Sequence, residues 1–242
     1  MLNSDRFLDA FNTIERYMRR SAGVGPAEPF VSSVHRASKT DAKVRHYRET
    51  LLEFAQLRNA IVHGPRGERV LAEPNDHVVT EIERLATLLT APPKVTEFMN
   101  TNVVTIQAGD PLSRAMQVFR DQSFSQIPVY EGKRFFGLLT TTAVVRWLGK
   151  QLQDGHVTLD PATVQDVLQA AGEEKRYLFV SQGVTAFDVA AAFDKFLRRG
   201  ERLRAVLVTA GGDPNQPLLG IFTVWDLQAV YRTLESGYSA QD

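Results

Sequence analysis

The stretch Gly220-Ile221-Phe222-Thr223-Val224-Trp225-Asp226-Leu227 has a near copy, Gly137-Leu138-Leu139-Thr140-Thr141-Thr142-Ala143-Val144, 83 residues upstream. In each copy an apolar strand runs through a glycine into a threonine, and an apolar-periodic segment follows at helical spacing. That sequence of signals predicts a strand-to-helix turn. Its free backbone N–H groups and the positive end of the helix dipole favour an anion. Asp226 adds a carboxylate able to accept hydrogen bonds from a vicinal diol such as a ribose. The same spacing, a hydroxyl three residues before a carboxylate, also serves simply to cap the first turn of a helix.

Working outward from the two copies, strands and helices alternate from residue 95 onward. In the first half the pattern predicts a strand at 103–106 and a helix opening at Asp110-Pro111 and running to about Arg120. Strands at 127–130 and 135–139 and a helix at 142–152 follow. The second half repeats the order with a strand at 177–180, a helix at 185–197, strands at 205–209 and 218–222, and a last helix through Tyr231. A glycine-rich hairpin tip is expected at 210–214. Thr163 and Asp166 have the spacing of a capping box on a helix leading the second half. Ala91-Pro92-Pro93 marks a stiff linker, and residues 236–242 read as a frayed tail.

Before the linker the sequence is helical. Phe7, Leu8, Phe11, Ile14 and Met18 recur at spacings of three and four, and glycines and prolines at 21–29 end that helix in a loop. Asp41 can cap a second helix whose stripe runs from Val44 to Val62, with Gly64-Pro65 as its stop. Asn75 caps a third, carrying Val78, Val79, Ile82, Leu85, Leu88 and Leu89. Residues 36–48 hold Arg36, Lys39, Lys43, Arg45 and Arg48 against Asp41, either a footprint for an acidic partner or a solvated face. The predicted organisation is therefore α+β: an all-α bundle at 1–90, a linker at 91–94, and two βαββα repeats at 95–152 and 153–235.

The β-α-β-β-α unit occurring twice, each ending in Gly-hydrophobic-hydrophobic-Thr, resembles a tandem pair of CBS domains over roughly residues 94–235. The resemblance implies two repeats arranged as a pseudo-two-fold disc, an adenine nucleotide (AMP, ADP or ATP) as regulatory ligand, and frequent dimerisation. Thr223 and Asp226 match the phosphate-side hydroxyl and the ribose-binding carboxylate of the family motif. The purine side of that site would come from Asn102, Val104, Phe124 and Ser125, and Arg204 matches a position that holds the phosphate. Ala143 replaces the aspartate in the first copy, so one competent site is expected.

In the helical region, Arg58-Asn59-Ala60-Ile61-Val62-His63 matches the Arg-polar-x-x-x-His pattern of HEPN domains, helical bundles many of which are metal-independent ribonucleases as dimers. Arg58 and His63 lie about 140° apart around one helix, so a two-fold dimer is what would bring them into one groove. Asn59, four residues before His63, can hydrogen-bond the ring and fix its tautomer. His63 would then act on a ribose 2′-hydroxyl while Arg58 stabilises charge on the phosphate. The bland alternative is an ordinary helix end, where a histidine is favoured by the dipole and a glycine follows as a stop.

The chain has 28 basic and 28 acidic residues, so no net field recruits nucleic acid or membrane, and it has no cysteine for disulfide or thiolate chemistry. No apolar run reaches the length of a membrane span, which with the absence of cysteine fits a cytoplasmic protein. His35, His46, His77 and His156 show no ligand spacing, so no metal is expected. P-loop, nucleophile-elbow and dinucleotide-fingerprint motifs are absent. Trp147 and Trp225 are expected to pack. The expectation is a homodimeric nucleotide sensor whose CBS pair controls a HEPN-like domain. Its alternatives are a nucleotide-gated ribonuclease acting on RNA and a non-catalytic scaffold with a vestigial site.

Overall fold

The computed structural model describes residues 2–62, 73–152, 156, 159–172 and 176–235, and contacts divide the chain into two units. The first gathers the described residues of Met1–Pro93, Thr185–Ala191 and Thr233–Asp242; the second comprises those of Lys94–Val184 and Ala192–Arg232. His63, the Gly64-Pro65 stop and the expected tail at 236–242 lie outside the described residues.

In the first unit, helix α1 (Asn3–Ala22) buries Phe7, Phe11, Ile14 and Met18 of the expected stripe, with Ala10 buried beside them and Leu8 half-buried. It ends where Gly23 turns left-handed at φ 63°. The N–H groups of Gly23 and Val24 reach back to the carbonyls of Arg20 and Arg19, a Schellman closure that glycine adopts without strain. The loop expected after it is shorter than the glycines and prolines imply, because Phe30–Ala37 forms helix α2. Phe30 packs on Phe11 with ring centroids 4.7 Å apart. The single helix expected from Asp41 onward is interrupted at Tyr47, giving α3 (Ala42–His46) and α4 (Arg48–Val62). Tyr47 departs from helical geometry, with ψ at 20°, although its N–H still bonds Lys43 and its carbonyl still accepts from Leu51. Its ring meets Phe187 at 5.9 Å and its hydroxyl donates to the carbonyl of Leu234 at 2.9 Å. Arg84, on α5 (Asp76–Thr90), also donates to the carbonyls of Thr233 and Leu234. Asn75 caps α5 by accepting the Val78 N–H at 3.0 Å.

The second unit holds two sheets of the same design. In the first, β1 (Ile106–Gln107) runs parallel to β2 (Gln126–Glu131), which is antiparallel to β3 (Arg134–Thr140); α6 (Leu112–Gln122) and α7 (Thr141–Gln151) complete the half. In the second, β4 (Tyr177–Ser181) is parallel to β5 (Ala205–Thr209) and β5 antiparallel to β6 (Leu218–Phe222). Helix α8 (Val164–Ala171) leads this half, and α9 (Ala186–Arg198) and α10 (Leu227–Glu235) complete its order. The registers coincide as well: Val129 faces Gly137 and Val208 faces Gly220, and each pair stands immediately before a bulge. The fold is thus α+β, an N-terminal helical region followed by two βαββα repeats.

The repeats exchange their leading segments. The second leader caps the first repeat: Leu112 N–H bonds the carbonyl of Ala162, Val164 N–H that of Asp110, and Val164 and Val167 lie fully buried in the first repeat's core. The first leader does the same in return, with Ala186 N–H on Pro93 and Val95 N–H on Val184. Each leader then crosses the glycine of the opposite third strand. A Cβ built on Gly220 would stand 2.4 Å from Met99 Sδ, and one on Gly137 would stand 3.3 Å from Leu168 Cδ1. This crossing shortens the expected strand at 103–106 to Ile106–Gln107, because Asn100 pairs with Ile221 of β6 and Val103 packs against the second sheet. Between the sheets Phe135 meets Tyr177 and Phe179 at 5.2 and 4.9 Å.

Candidate functional site

The exchange creates two clefts, each formed where a strand-to-helix turn of one repeat faces strand ends of the other. At the second turn, Asn100 and Ile221 trade backbone hydrogen bonds of 2.9 Å, which lays residues 100–104 along β6. Ser123 takes a left-handed conformation, φ 52°, at the end of α6 and swings Phe124 and Ser125 toward the same place. The result is a cleft of about 170 Å³ lined by Asn102, Val104, Phe124, Ser125, Thr223 and Asp226, six of the seven residues expected at a binding site. Asn100, Gln126 and Trp225 also line it.

Asp226 is held rigidly. Its Oδ2 accepts the Thr223 N–H at 2.7 Å and the Thr223 hydroxyl at 2.9 Å, so the threonine is a clamp on the carboxylate. Among the described residues both bonds fall on Oδ2, which leaves Oδ1 to accept from a ligand. The capping and binding readings of this pair are therefore compatible. Gln126 is also fixed, its Nε2 donating to the Arg204 carbonyl at 3.0 Å. Trp225 was expected to pack but is 81 % exposed at the cleft, whereas Trp147 is buried in the first repeat's core. Its position between Thr223 and Asp226 was readable in the sequence; its outward direction was not.

Arg204 stands elsewhere. It lines the other cleft, of about 500 Å³, at the first turn. Arg204, just before β5, lines the cleft that holds Thr140, as Ser125, just before β2, lines the one that holds Thr223. In this larger cleft Thr140 caps α7 by accepting the Ala143 N–H at 3.1 Å, and Ala143 takes the place of Asp226. Arg146, Lys150 and Arg176 join Arg204 among its lining residues, and among the described residues no aspartate or glutamate lines it. The small cleft is the inverse, with Asp226 and no lysine or arginine.

In the helical region Arg58 and Asn59 lie near the end of α4, and the Arg58 guanidinium donates to Asn59 Oδ1 at 3.4 Å. Their expected partner His63 is outside the described residues. Among the described residues no three His, Asp or Glu side chains gather as a metal site, and no helix is long and apolar enough to cross a membrane.

A helix-flanked three-stranded repeat occurs twice, with exchanged leaders and a cleft at each turn. Residues 95–150 match the family model of the CBS domain, so the chain carries a CBS domain there. No curated protein matches. Similar solved structures include a CBS domain-containing protein of unknown function from Kribbella flavida, 18 % identical over 57 % of this chain and 99 % of that one, with a TM-score of 0.43. Another is CBSX2 in complex with AMP, 15 % identical over 59 % of this chain and 98 % of that one, with a TM-score of 0.42.

Proposed function

We propose that this chain is a regulatory sensor in which the CBS pair binds the nucleoside part of an adenine nucleotide at the small cleft and controls the HEPN-like helical region. The observation that carries the reading is the clamped carboxylate of Asp226, facing a cleft with an aromatic wall at Phe124 and amides at Asn102 and Gln126. A base can be held by the ring and the amides, and a ribose diol can donate to Oδ1. Because Arg204 lines the other cleft, a phosphate at this one meets no lysine or arginine among the described lining residues. Affinity then follows the nucleoside, with adenosine, AMP and ATP within a few-fold of one another.

The test is thermal stability and calorimetric titration of the wild type and Asp226→Ala with adenosine, AMP, ADP and ATP. A ligand at one hundred times its Kd stabilises by about 2.7 kcal/mol. For a chain of this size that is a rise of roughly 5–10 °C. The wild type should show it and Asp226→Ala should lose it; an undiminished shift in the variant would sink the assignment. Arg58, Asn59 and His63 make metal-independent RNA cleavage by a homodimer the output to assay. Cleavage by the wild type that His63→Ala lacks, changing with adenosine, would tie output to sensor.

A further inference from the structure

We infer that α10 is the element through which the clamp at Asp226 acts on the helical region, with Tyr47 and Arg84 as the positioning residues that receive it. Both ends of this helix are fastened. At its start the Asp226 N–H bonds the Thr223 carbonyl at 3.1 Å, and the Asp226 carbonyl accepts the Val230 N–H, a long first bond of 3.4 Å. The residue whose carboxylate holds Thr223 is thus the residue that opens α10. At its end, carbonyls that a helix leaves without internal partners accept from other helices. Leu234 accepts from the Tyr47 hydroxyl at 2.9 Å and from Arg84, and Thr233 accepts from Arg84 at 2.9 Å. The guanidinium also sets a positive charge at the negative end of the helix dipole. Between the two ends Leu227, Val230 and Leu234 form one buried stripe. Asp226 belongs to the second unit, Thr233 and Leu234 to the first, and α10 is the covalent link.

Tyr47 stands where a pull from α10 can change a geometry. It interrupts α3 and α4, yet its N–H still bonds Lys43 and its carbonyl still accepts from Leu51, so one torsion, ψ at 20°, sets the angle between the two helices. An element end of this kind is where hinges are found. Its two arrangements are the interrupted one, with the hydroxyl on Leu234, and a continuous helix without that bond. Helix α4 carries Arg58 and Asn59 near its far end. At 1.5 Å per residue Arg58 lies about 16 Å beyond Tyr47, so a change of about 10° at the junction displaces it by about 3 Å. A diol donating to Asp226 Oδ1 that favours the fastened helix shifts the junction toward the interrupted form. The ligand's part in this rests on the reading of Asp226 given above; the coupling of the two helix ends does not.

Amide hydrogen exchange of the full chain tests the coupling, first without ligand. Asp226→Ala should raise exchange in the last turn of α10 and over residues 43–51 by at least ~5-fold, and leave α1 and α7 unchanged. In the Tyr47→Phe, Arg84→Gln protein the same change should loosen residues 227–230 and stop short of 43–51. Equal loosening of α1 and α7, or indifference of residues 43–51 to Asp226→Ala, would overturn the proposal. The second arm adds saturating adenosine. Exchange over 43–51 should then fall ~5-fold in the wild type but not in the Tyr47→Phe, Arg84→Gln protein, whose Kd for adenosine, by reciprocity, should be weaker by the same factor. Equal Kd values in the two proteins would overturn the coupling. If adenosine fails to bind the wild type while the ligand-free response is intact, the coupling stands and the nucleoside reading of the cleft falls.

Discussion

The hydroxyl of Tyr17 donates to Asp41, whose other oxygen accepts the Lys43 N–H at 3.0 Å and so caps α3. Burial first, and the bond to Asp41 second, raise the Tyr17 hydroxyl above its ordinary value of 10.0. Burial alone raises Tyr130 in the same direction. A tyrosine raised in the fold favours its neutral form. Its contribution is complete below pH 10 and is lost as pH rises toward the folded value. Alkaline ultraviolet titration should therefore show Tyr17 and Tyr130 ionising late, and Tyr17→Phe should remove one late step and cost about 1–2 kcal/mol by denaturant melting. Asp226 has a structural duty besides the binding role proposed for it. Asp226→Asn keeps an acceptor for the Thr223 N–H, so it should retain more of the unliganded stability than Asp226→Ala, which loses about 1 kcal/mol. What was legible at this scale is chemistry that is local. The spacing of Thr223 and Asp226 announced the cap they form, whereas Phe124 was named only through the resemblance to CBS domains. Arg204 was misplaced because a linear motif does not say which of two clefts a strand end faces; only the exchange between repeats decides that.

Elements were legible wherever their periodicity was long. The α1 and α5 stripes, both third strands and the Thr163 capping box stand where the pattern put them, the last with Asp166 accepting from the Thr163 N–H at 2.8 Å. Backbone bonds to that carboxylate hold Asp166 below its ordinary range, the usual sign of an N-terminal box. Helix α2 was hidden behind a proline-rich run, though Phe30, Val34 and Ala37 share a face. The interruption at Tyr47 was hidden because its cause, a ring and a carbonyl at residues 187 and 234, is remote in sequence. The glycines of the two turns make a graded prediction. Gly220→Ala drives a Cβ into Met99, not only at its terminus but at Cγ, 2.7 Å away, and should cost roughly 1–3 kcal/mol. Gly137→Ala meets only a Leu168 methyl at 3.3 Å and should cost less. Chemical denaturation of both variants checks the order. The pair Gly220→Ala with Met99→Ala should lose less than the sum of its parts, because the cavity and the added carbon coincide.

At the scale of the molecule, the linear pattern put one boundary at residues 91–94 and held no hint that later residues join the helical region, as those of Thr185–Ala191 do. Phe187 covers Tyr47, and the carbonyls of Thr233 and Leu234 accept from Arg84 and Tyr47. Arg84→Ala should therefore lower the melting temperature although it is far in sequence from the carbonyls it serves, by the loss of about 1–2 kcal/mol. A fragment of residues 1–93 should bind a hydrophobic dye more strongly than the full chain, because it leaves Tyr47 uncovered; equal binding would show that Phe187 and Leu234 contribute little. The exchanged leaders carry a further consequence. If the chain were severed between its repeats, each piece would keep its own strands and surrender the segment that closes its core, so neither would be whole by itself. Two such pieces could complete one another only by meeting. The peptide joining them therefore turns an encounter between molecules into an internal event, and the closure that results no longer depends on how dilute the protein is.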